Sequence, residues 1–356
     1  MERKRRIGIL TGGGDCPGLN AAIRATTKRA LQLGYEVIGI KNAWEGFIND
    51  ENEVLDGLKA SGIIDRGGTI LGTSRVNPFQ IENGPQRVFD GFEKLRLESL
   101  VVLGGEGSLS LATQLLKLGL PVIGIPKTID NDVMETDYTI GFHTAVQIAT
   151  DALDRLRTTA QSHHRVMLLE VMGRHAGWIA AYAGLASGAD AILVPEIPMN
   201  EEKIEELCHM LKERNKKGMN FSIIVVAEGT ILEGKAIVKH GFATSTQRFI
   251  STEEGKTDIL GGAGNVLGGI IMGKTALETR VSSLDYMQRG GTPIAYDRNL
   301  ATAFGVKAAE LAIEKKYGLM TALKGNKIIS VPLEKVAGGV RTLDPEIYKL
   351  TEIFFG

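Results

Sequence analysis

Three short segments rich in glycine and carboxylate side chains contain the residues most able to do chemistry. They are TGGGD (11–15), GGEGS (104–108) and PKTIDND (126–132). Each directly follows a short, mostly β-branched run of the kind that forms a buried strand in a parallel sheet. Because such strands end at one edge of the sheet, we expect the three segments to meet there. The pattern predicts a cleft that holds a phosphate, a divalent metal ion and an acidic base.

In TGGGD, the three glycines Gly12, Gly13 and Gly14 lie between a predicted strand and a predicted helix. Such a loop lets phosphate approach the helix N-terminus, although a tight strand-to-helix turn explains the glycines equally well. No GKS or GKT follows, so the segment is not a P-loop, and it lacks the G-x-G-x-x-G spacing of a dinucleotide site.

In GGEGS, Glu106 lies between two glycines at a strand end. Mg²⁺ prefers one or two carboxylates together with phosphate oxygens and water, which favours Glu106 as a metal-associated residue beside a nucleotide. Ser108 is placed to cap the next helix and to donate to a phosphate. A solvated turn with a helix cap is the alternative.

PKTIDND is the most specific of the three segments. Asp130 and Asp132 flank Asn131, and in an extended chain residues i and i+2 face the same way, so both carboxylates can address one centre. One can accept a proton from a hydroxyl nucleophile, as an aspartate does in phosphoryl transfer to alcohols. The alternative is an Asx-turn with exposed carboxylates.

Downstream, four arginines and one glutamate follow or open predicted strands and loops. These residues are Arg165, Arg174, Arg280, Arg289 and Glu228. A cluster of guanidinium groups would bind a phosphorylated substrate. Any single one of them is more often an ordinary surface arginine. Glu228 is placed to accept a hydrogen bond from a sugar hydroxyl, or to cap the backbone.

Composition narrows the class of protein. The 356 residues contain 41 basic and 42 acidic side chains, so there is no overall field to attract nucleic acid or a membrane surface. Only Cys16 and Cys208 are present, too few for a disulfide framework. No apolar run approaches the ~18 residues of a membrane span, and the apolar run after MERKRR is too short for a signal peptide. We expect a soluble cytoplasmic protein.

Apolar β-type runs alternate with helical patterns along almost the whole chain. This alternation predicts an α/β fold of two Rossmann-like domains with parallel-rich sheets. We expect residues 1–141 and 288–337 to form a larger donor-binding domain and 142–287 a smaller sugar-phosphate domain. Residues 338–356 would form a C-terminal extension, and the Gly-, Ser- and Thr-rich stretch 241–264 an exposed excursion.

Taken together, these strings resemble the 6-phosphofructokinase family, in family order and spacing and over nearly the whole chain. The matching strings include TGGGDCPGLNAAIR, GGEGS, PKTIDND, RVMLLEVMGRHAG, AEG, ETR and QRGG. The resemblance implies two α/β domains with the active site in the cleft between them. It also implies transfer of a phosphoryl group from ATP, with Mg²⁺, to the 1-hydroxyl of fructose 6-phosphate. The implied assembly is a homotetramer, or a homodimer, with active sites shared between subunits.

The resemblance also implies residue roles. Asp130 would be the base, with Thr128 and Asp132 beside it, and Arg174 would stabilise the transferring phosphoryl group. The donor would contact Gly14, Arg75, Gly105, Glu106, Gly107, Ser108 and Lys127, and Glu106 would be the metal-associated residue. Fructose 6-phosphate would contact Thr128, Asp130, Met172, Gly173, Arg174, Glu228, Tyr286 and Arg289. Arg165 and Arg280 would reach its 6-phosphate from the neighbouring subunit.

The identity of the phosphoryl donor stays open between ATP and pyrophosphate. In the family, a glycine at position 107 accompanies ATP, because an aspartate there would repel the α-phosphate. Lys127, in contrast, matches pyrophosphate-dependent members. We favour ATP, since a lysine can swing aside and an aspartate cannot leave its pocket.

Regulation and non-catalytic functions are the other open points. Arg24 and Arg157 match basic positions of the family's effector site, but Gly57 and Met219 replace two of its cations. We therefore expect a weak or absent effector response.

A sugar-phosphate sensor on the same scaffold is disfavoured by the presence of Asp130, Asp132 and Arg174. A lipid or NAD kinase, which shares only a GGDG-like loop, is also disfavoured.

Overall fold

The structure is a computed structural model, and it describes residues 4–233, 249–250, 257–258 and 261–356. Most of the predicted excursion over 241–264 lies outside these residues. The chain divides into two compact units. Unit 1 comprises Met1–Thr144 and Arg289–Arg341, and unit 2 comprises Ala145–Gln288 and Thr342–Gly356.

Strands and helices alternate in the order that the sequence predicts. The strands are β1 (Arg5–Thr11), β2 (Tyr35–Ile40), β3 (Asn52–Leu55), β4 (Ser99–Gly104), β5 (Val122–Thr128), β6 (Ile140–Gly141), β7 (Val166–Val171), β8 (Ala191–Leu193), β9 (Ser222–Ala227), β10 (Phe249–Ile250), β11 (Thr257–Asp258), β12 (Thr279–Ser283), β13 (Leu319–Lys324) and β14 (Lys327–Pro332). The helices are α1 (Leu19–Gln32), α2 (Glu45–Ile48), α3 (Gly84–Lys94), α4 (Glu106–Lys117), α5 (Phe142–His163), α6 (Trp178–Ser187), α7 (Glu201–Lys216), α8 (Ala263–Thr275), α9 (Ala295–Ile313) and α10 (Pro345–Glu352).

Unit 1 is built on one mixed sheet. Its strand order is β14-β13-β5-β4-β1-β2-β3, and β6 pairs with the end of β5. The neighbouring strands β5, β4, β1 and β2 run parallel, whereas β3 and β14 are antiparallel edge strands. Since β1, β4 and β5 are adjacent and parallel, their carboxyl ends lie at the same edge of the sheet. The predicted placement of the three chemical segments at one edge is therefore confirmed.

The central strands of unit 1 are buried on both faces, which explains their continuous apolar sequence. In β4, every residue from Ser99 to Gly104 is buried. Side chains of this sheet form one core with Trp44, which precedes α2, with Val88 of α3 and with Leu109 of α4. This packing fixes the strand ends that present the glycine and aspartate segments.

Unit 2 has a smaller sheet of strand order β12-β7-β9-β8, and all its pairings are parallel. Its core joins β7, β8 and β9 to α7 and α8. The C-terminal segment from Thr342 belongs to this unit. The N–H of Leu343 donates to Glu196 at 2.8 Å, and the hydroxyl of Tyr348 donates to the carbonyl of Ile192 at 3.1 Å. The predicted fold class, α/β with parallel-rich sheets, is confirmed.

A residue distant in sequence caps the N-terminus of α5. Asp297, in the first turn of α9, is fully buried. Its Oδ1 accepts the N–H of Gly141 at 3.0 Å, and its Oδ2 accepts the N–H and hydroxyl of Thr144 at 2.7 and 2.5 Å. Burial raises the pKa of the Asp297 carboxyl from its ordinary value of 3.8 to about 6, and the three hydrogen bonds only partly oppose this.

This raised pKa predicts a pH dependence of stability. The folded protein binds the Asp297 proton more tightly than the unfolded chain, so the stabilisation is present below the unfolded pKa and is lost as pH rises through the folded pKa. Relative to Asp297→Asn, which cannot titrate, the free energy of unfolding should fall by up to about 3 kcal/mol between about pH 4 and pH 7. Urea unfolding of both proteins across this range tests it, and a stability difference that does not change with pH would contradict it.

Within the residues that the structure describes, no helix combines the length and the hydropathy that a membrane span requires.

Candidate active site

The glycine loop (Gly12, Gly13 and Gly14, after β1) contacts the N-terminal turn of α4. The Ser108 hydroxyl oxygen lies 2.8 Å from the position that a Cβ on Gly12 would take, and 3.3 Å from that on Gly13. Gly13 also has a φ of 79°, a left-handed conformation that favours glycine. The loop therefore needs glycine because Ser108 packs directly against it.

The PKTIDND segment contacts the same region. A Cβ on Gly105 would lie 3.5 Å from the carbonyl oxygen of Lys127 and 3.6 Å from Cβ of Thr128. The N–H of Asp130 donates to the Thr128 hydroxyl at 3.1 Å. Contacts thus run from the glycine loop through the start of α4 to the aspartates, and all these residues belong to unit 1.

Both aspartates of this segment are buried. Asp130 is 3% exposed and Asp132 is 8% exposed, so this is not an Asx-turn with exposed carboxylates. Asn131 adopts a left-handed conformation with φ 53°, and its side chain holds the turn. Its Nδ2 donates to the carbonyl of Asp137 at 3.3 Å, and its Oδ1 accepts the N–H of Thr139 at 3.1 Å. The turn therefore has a defined shape that fixes the direction of both carboxylates.

Lys127 is buried under the glycine loop and is only 2% exposed. Its Nζ donates to the carbonyl oxygen of Gly12 at 2.8 Å and to that of Gly14 at 2.5 Å. Burial lowers the pKa of the Lys127 ammonium, and neighbouring negative groups, among them Asp15 and Asp130, only partly offset this. Lys127, which matches the lysine of pyrophosphate-dependent members, is thus hydrogen-bonded to the backbone of the protein itself.

Gly107 is exposed, and a Cβ added to it would meet no atom within 4 Å. It is the second residue of α4, where the helix N-terminus offers unpaired N–H groups to an anion. Packing within the protein therefore does not require glycine at this position. The next residue, Ser108, contacts the glycine loop, where a phosphate donor is expected.

Glu106 opens α4 and is half-buried. Among the described residues, no three His, Cys, Asp or Glu side chains are grouped closely enough to hold a metal ion. Mg²⁺ is commonly held by phosphate oxygens, water and one or two carboxylates, so a single protein carboxylate is sufficient where a phosphate is also bound. Glu106 is the carboxylate of the GGEGS segment that fits this role.

Two predicted phosphate-binding arginines of unit 1 differ in placement. The Arg75 side chain is exposed, near the loop residues Thr73 and Ser74 that bond the glycine loop. The guanidinium of Arg289 occupies the space that a Cβ on Gly14 would need, and its Nη1 donates to the carbonyl of Asp15 at 3.3 Å. The family resemblance implied that Arg289 contacts fructose 6-phosphate, and in the structure Arg289 lies against the predicted donor loop.

In unit 2, Met172, Gly173 and Arg174 directly follow the strand β7. The Glu228 carboxylate accepts the N–H of Gly173 at 3.2 Å and that of Arg174 at 3.0 Å. Arg174 is exposed and has a φ of 49°, which is unusual for a residue with a side chain. Glu228 therefore fixes the backbone that presents the Arg174 guanidinium, in agreement with the capping alternative.

Arg165 and Arg280 are brought together by the parallel pairing of β7 with β12. Both guanidinium groups contact one carboxylate, Glu278, at 2.9 and 2.7 Å. The two arginines lower the pKa of Glu278, and the hydrogen bond from Arg165 has the largest effect. Two cations that share one anion leave a net positive charge, as a phosphate site requires. Sequence reasoning missed Glu278, although it lies in the ETR string.

Sequence reasoning also missed Gln288, the first residue of the QRGG string. Gln288 is fully buried, and its Oε1 accepts the N–H of Met172 at 2.7 Å. Tyr286, two residues before Gln288, is 77% exposed. Met172, Gly173 and Arg174 are therefore held by two side chains, Gln288 and Glu228, both from distant parts of the sequence.

The chain is similar to known proteins over nearly its whole length. A family model described as phosphofructokinase matches residues 6–312. A pyrophosphate–fructose 6-phosphate 1-phosphotransferase of Dictyoglomus thermophilum is 45% identical over 357 residues, covering 99% of each chain. An ATP-dependent 6-phosphofructokinase of Chloroflexus aurantiacus is 46% identical over 353 residues, covering 97% of this chain and 94% of the other.

Among solved structures, the phosphofructokinase of Pichia pastoris in the T-state superposes with a TM-score of 0.82 at 29% identity. The superposition covers 99% of this chain and 37% of the much longer Pichia chain. The chain belongs to the phosphofructokinase family. It is a phosphotransferase enzyme, and its relatives include members named for each of two phosphoryl donors.

Proposed function

We propose that this enzyme transfers the γ-phosphoryl group of ATP to the 1-hydroxyl of fructose 6-phosphate, which gives fructose 1,6-bisphosphate and ADP. The observation that carries the proposal is the meeting of three strand ends in unit 1. The glycine loop, the N-terminal turn of α4 and the buried aspartate turn contact one another there. A phosphate-binding backbone and an acid that can accept a hydroxyl proton are the groups that phosphoryl transfer to an alcohol needs.

In this proposal Asp130 accepts the proton of the sugar 1-hydroxyl as its oxygen attacks the γ-phosphorus. The bond from phosphorus to the oxygen that bridges the β- and γ-phosphates breaks, and ADP leaves with that oxygen. Thr128 and Asp132 stand next to the base and orient it. Glu106 would help to hold a Mg²⁺ ion together with the donor phosphates, and that ion would neutralise charge on the transferring phosphoryl group.

For unit 2, we propose that the residues at the ends of β7, β9 and β12 bind the sugar phosphate. Arg174 would stabilise the charge on the transferring phosphoryl group, and Arg165 and Arg280 would bind the 6-phosphate of a neighbouring subunit's substrate. This arrangement requires a homo-oligomer, and we propose a homotetramer. We also propose that the enzyme is cytoplasmic, because its two proposed substrates are soluble molecules of the cytoplasm.

ATP is favoured as donor by the surroundings of Gly107. The space next to this glycine is open, and an aspartate in that space would repel the α-phosphate of a nucleotide. Lys127 does not oppose this choice, because its ammonium is bound to two backbone carbonyls.

Pyrophosphate is the second candidate donor. Lys127 lies next to the glycine loop and is the residue that resembles pyrophosphate-dependent members. The relative from Dictyoglomus thermophilum is also named for pyrophosphate. In that case the same aspartate turn and the same sugar-phosphate residues would act, and only the donor would differ.

Product identification tests the reaction. The purified enzyme is incubated with fructose 6-phosphate and MgATP and, in parallel samples, with magnesium pyrophosphate or no donor, and the products are followed by ³¹P nuclear magnetic resonance. We expect the signals of fructose 1,6-bisphosphate and ADP to grow together in equal amounts. Binding of the sugar phosphate without any turnover, with either donor, would instead indicate a non-catalytic sensor.

The role of Glu228 gives a further prediction. Glu228→Ala removes the acceptor of two backbone N–H groups, so the Arg174 backbone is released from its strained conformation. We expect the KM for fructose 6-phosphate to rise by about tenfold, in line with the loss of one or two charge-assisted hydrogen bonds. Glu228→Gln keeps an acceptor oxygen and should recover most of the affinity. Steady-state kinetics at saturating MgATP measures both, and an equal loss in the two variants would indicate direct contact with the sugar instead.

A further inference from the structure

The Lys127 ammonium is hydrogen-bonded to the glycine loop inside unit 1. The side chain of Lys127 leaves β5, is almost fully buried, and uses two of its three N–H bonds on the carbonyl oxygens of Gly12 and Gly14. Charged donors make stronger hydrogen bonds than neutral ones, so these two bonds strongly restrain the loop.

Three other polar groups of the loop are also hydrogen-bonded within the protein. The Thr73 hydroxyl donates to the carbonyl of Gly13 at 2.5 Å. The N–H of Gly12 donates to the carbonyl of Leu103 at 2.9 Å, and that of Gly13 to the carbonyl of Ser74 at 3.1 Å. All three glycine carbonyls are therefore occupied by protein donors. Within the described part of the chain, the N–H of Gly14 donates to no group.

A second cation fixes the far end of the loop. The Arg289 guanidinium packs on the Cα of Gly14 and donates to the carbonyl of Asp15. The loop carbonyls, which would repel a phosphate, are bound by cations or a hydroxyl. The first backbone donor left for a ligand is the N–H of Gly14.

We propose that Lys127 is a positioning residue of the donor site and not a ligand of the donor. By binding the carbonyls of Gly12 and Gly14, it turns the glycine loop so that the N–H of Gly14 is presented to a donor phosphate. The proposal rests on the proposed function, since it places the donor at this loop. It also removes the conflict between Gly107 and Lys127, because a lysine committed to the backbone is compatible with either donor.

Direct binding of Lys127 to a donor phosphate would have a cost. The ammonium would have to leave two carbonyl oxygens, and a buried acceptor left without a donor is destabilising. Lys127 is also buried behind the loop, whereas Gly107 faces open space. The loop, and not the lysine, is therefore the part of the site that reaches the donor.

Lys127→Met tests the proposal, because methionine keeps the length and apolar stem of the side chain without the ammonium. In the protein without ligands, we expect amide hydrogen exchange in a peptide that spans residues 10–18 to quicken by about tenfold or more. Calorimetric titration should show Kd values for MgADP and for magnesium pyrophosphate that rise by similar factors. Unchanged exchange, together with a loss of affinity for pyrophosphate alone, would overturn the proposal.

Two further variants keep the test decisive. Thr73→Val removes the bond to the carbonyl of Gly13 but leaves Lys127 in place. It should quicken exchange in the same peptide to a smaller extent, so it serves if Lys127→Met does not fold. Lys117→Met, at an exposed lysine of α4, is the matched control and should change neither exchange nor affinity. If wild-type enzyme binds no donor while the loop still responds to Lys127→Met, the donor assignment fails and the positioning role stands.

Discussion

Replacing Asp130 by asparagine is expected to lower kcat for transfer from ATP to fructose 6-phosphate by about 10³-fold, within the range for loss of a general base. Asparagine has nearly the same shape but accepts no proton from the sugar hydroxyl. Asp130 is 3% exposed, and the turn is held by bonds of Asn131 and Thr128 that the substitution leaves intact. The fold and the KM for the sugar should therefore change little.

Two carboxamide controls separate this effect from a general loss of charge. Asp132→Asn, next to the proposed base, should reduce kcat by a smaller factor, since Asp132 orients the base and does not take the proton. Asp154→Asn, at an exposed position of α5, should have no effect. If Asp130→Asn kept more than about a tenth of the activity, the base would have to be another group.

The second large effect is expected at Gly107. Gly107→Asp should lower kcat/KM for MgATP by about 100-fold or more, because a carboxylate near the α-phosphate is repelled by several kcal/mol at short range. The substitution should not harm the fold, since a Cβ there meets no atom within 4 Å. A negative charge in the first turn of α4 is also favourable to the helix dipole. The fall in kcat/KM should therefore come from weaker use of the donor and not from a loss of stability.

Gly57→Asp provides the matched control for this prediction. Gly57 is also exposed, and a Cβ on it also meets no atom within 4 Å. This variant should use ATP as wild type does. The rate with pyrophosphate, which lacks the nucleoside and its α-phosphate, should fall less in Gly107→Asp than the rate with ATP. Equal losses with both donors would show that Gly107 does not discriminate between them.

The sequence was sufficient to predict the strand ends of unit 1. A run such as SLVVL is apolar throughout because both faces of β4 are covered, and this leaves a clear signal in a single sequence. The glycines and aspartates that follow such runs could then be placed at one edge of the sheet. The burial of Asp130 and Asp132 was not evident, because Asp-Asn-Asp is equally typical of exposed turns.

Other features depend on partners that are distant in sequence. Nothing in the spacing of PKTIDND indicates whether the Lys127 ammonium faces a ligand or the glycine loop, and the structure places it on the loop. The contact of Arg289 with Gly14 is of the same kind. The same holds for the cap that Asp297 forms on α5. It also holds for the bond between Leu343 and Glu196, which joins the C-terminal segment to the rest of unit 2. Tertiary packing decides such contacts, and they leave no local pattern.

A donor competition tests the central claim most directly. Wild-type enzyme receives fructose 6-phosphate with MgATP and magnesium pyrophosphate at equal concentrations, both below their KM values, and ³¹P nuclear magnetic resonance follows the initial loss of each donor. We predict that ADP forms several times faster than inorganic phosphate, because the ratio reports kcat/KM for the two donors. Preferential consumption of pyrophosphate would contradict the assignment of ATP to the open space beside Gly107.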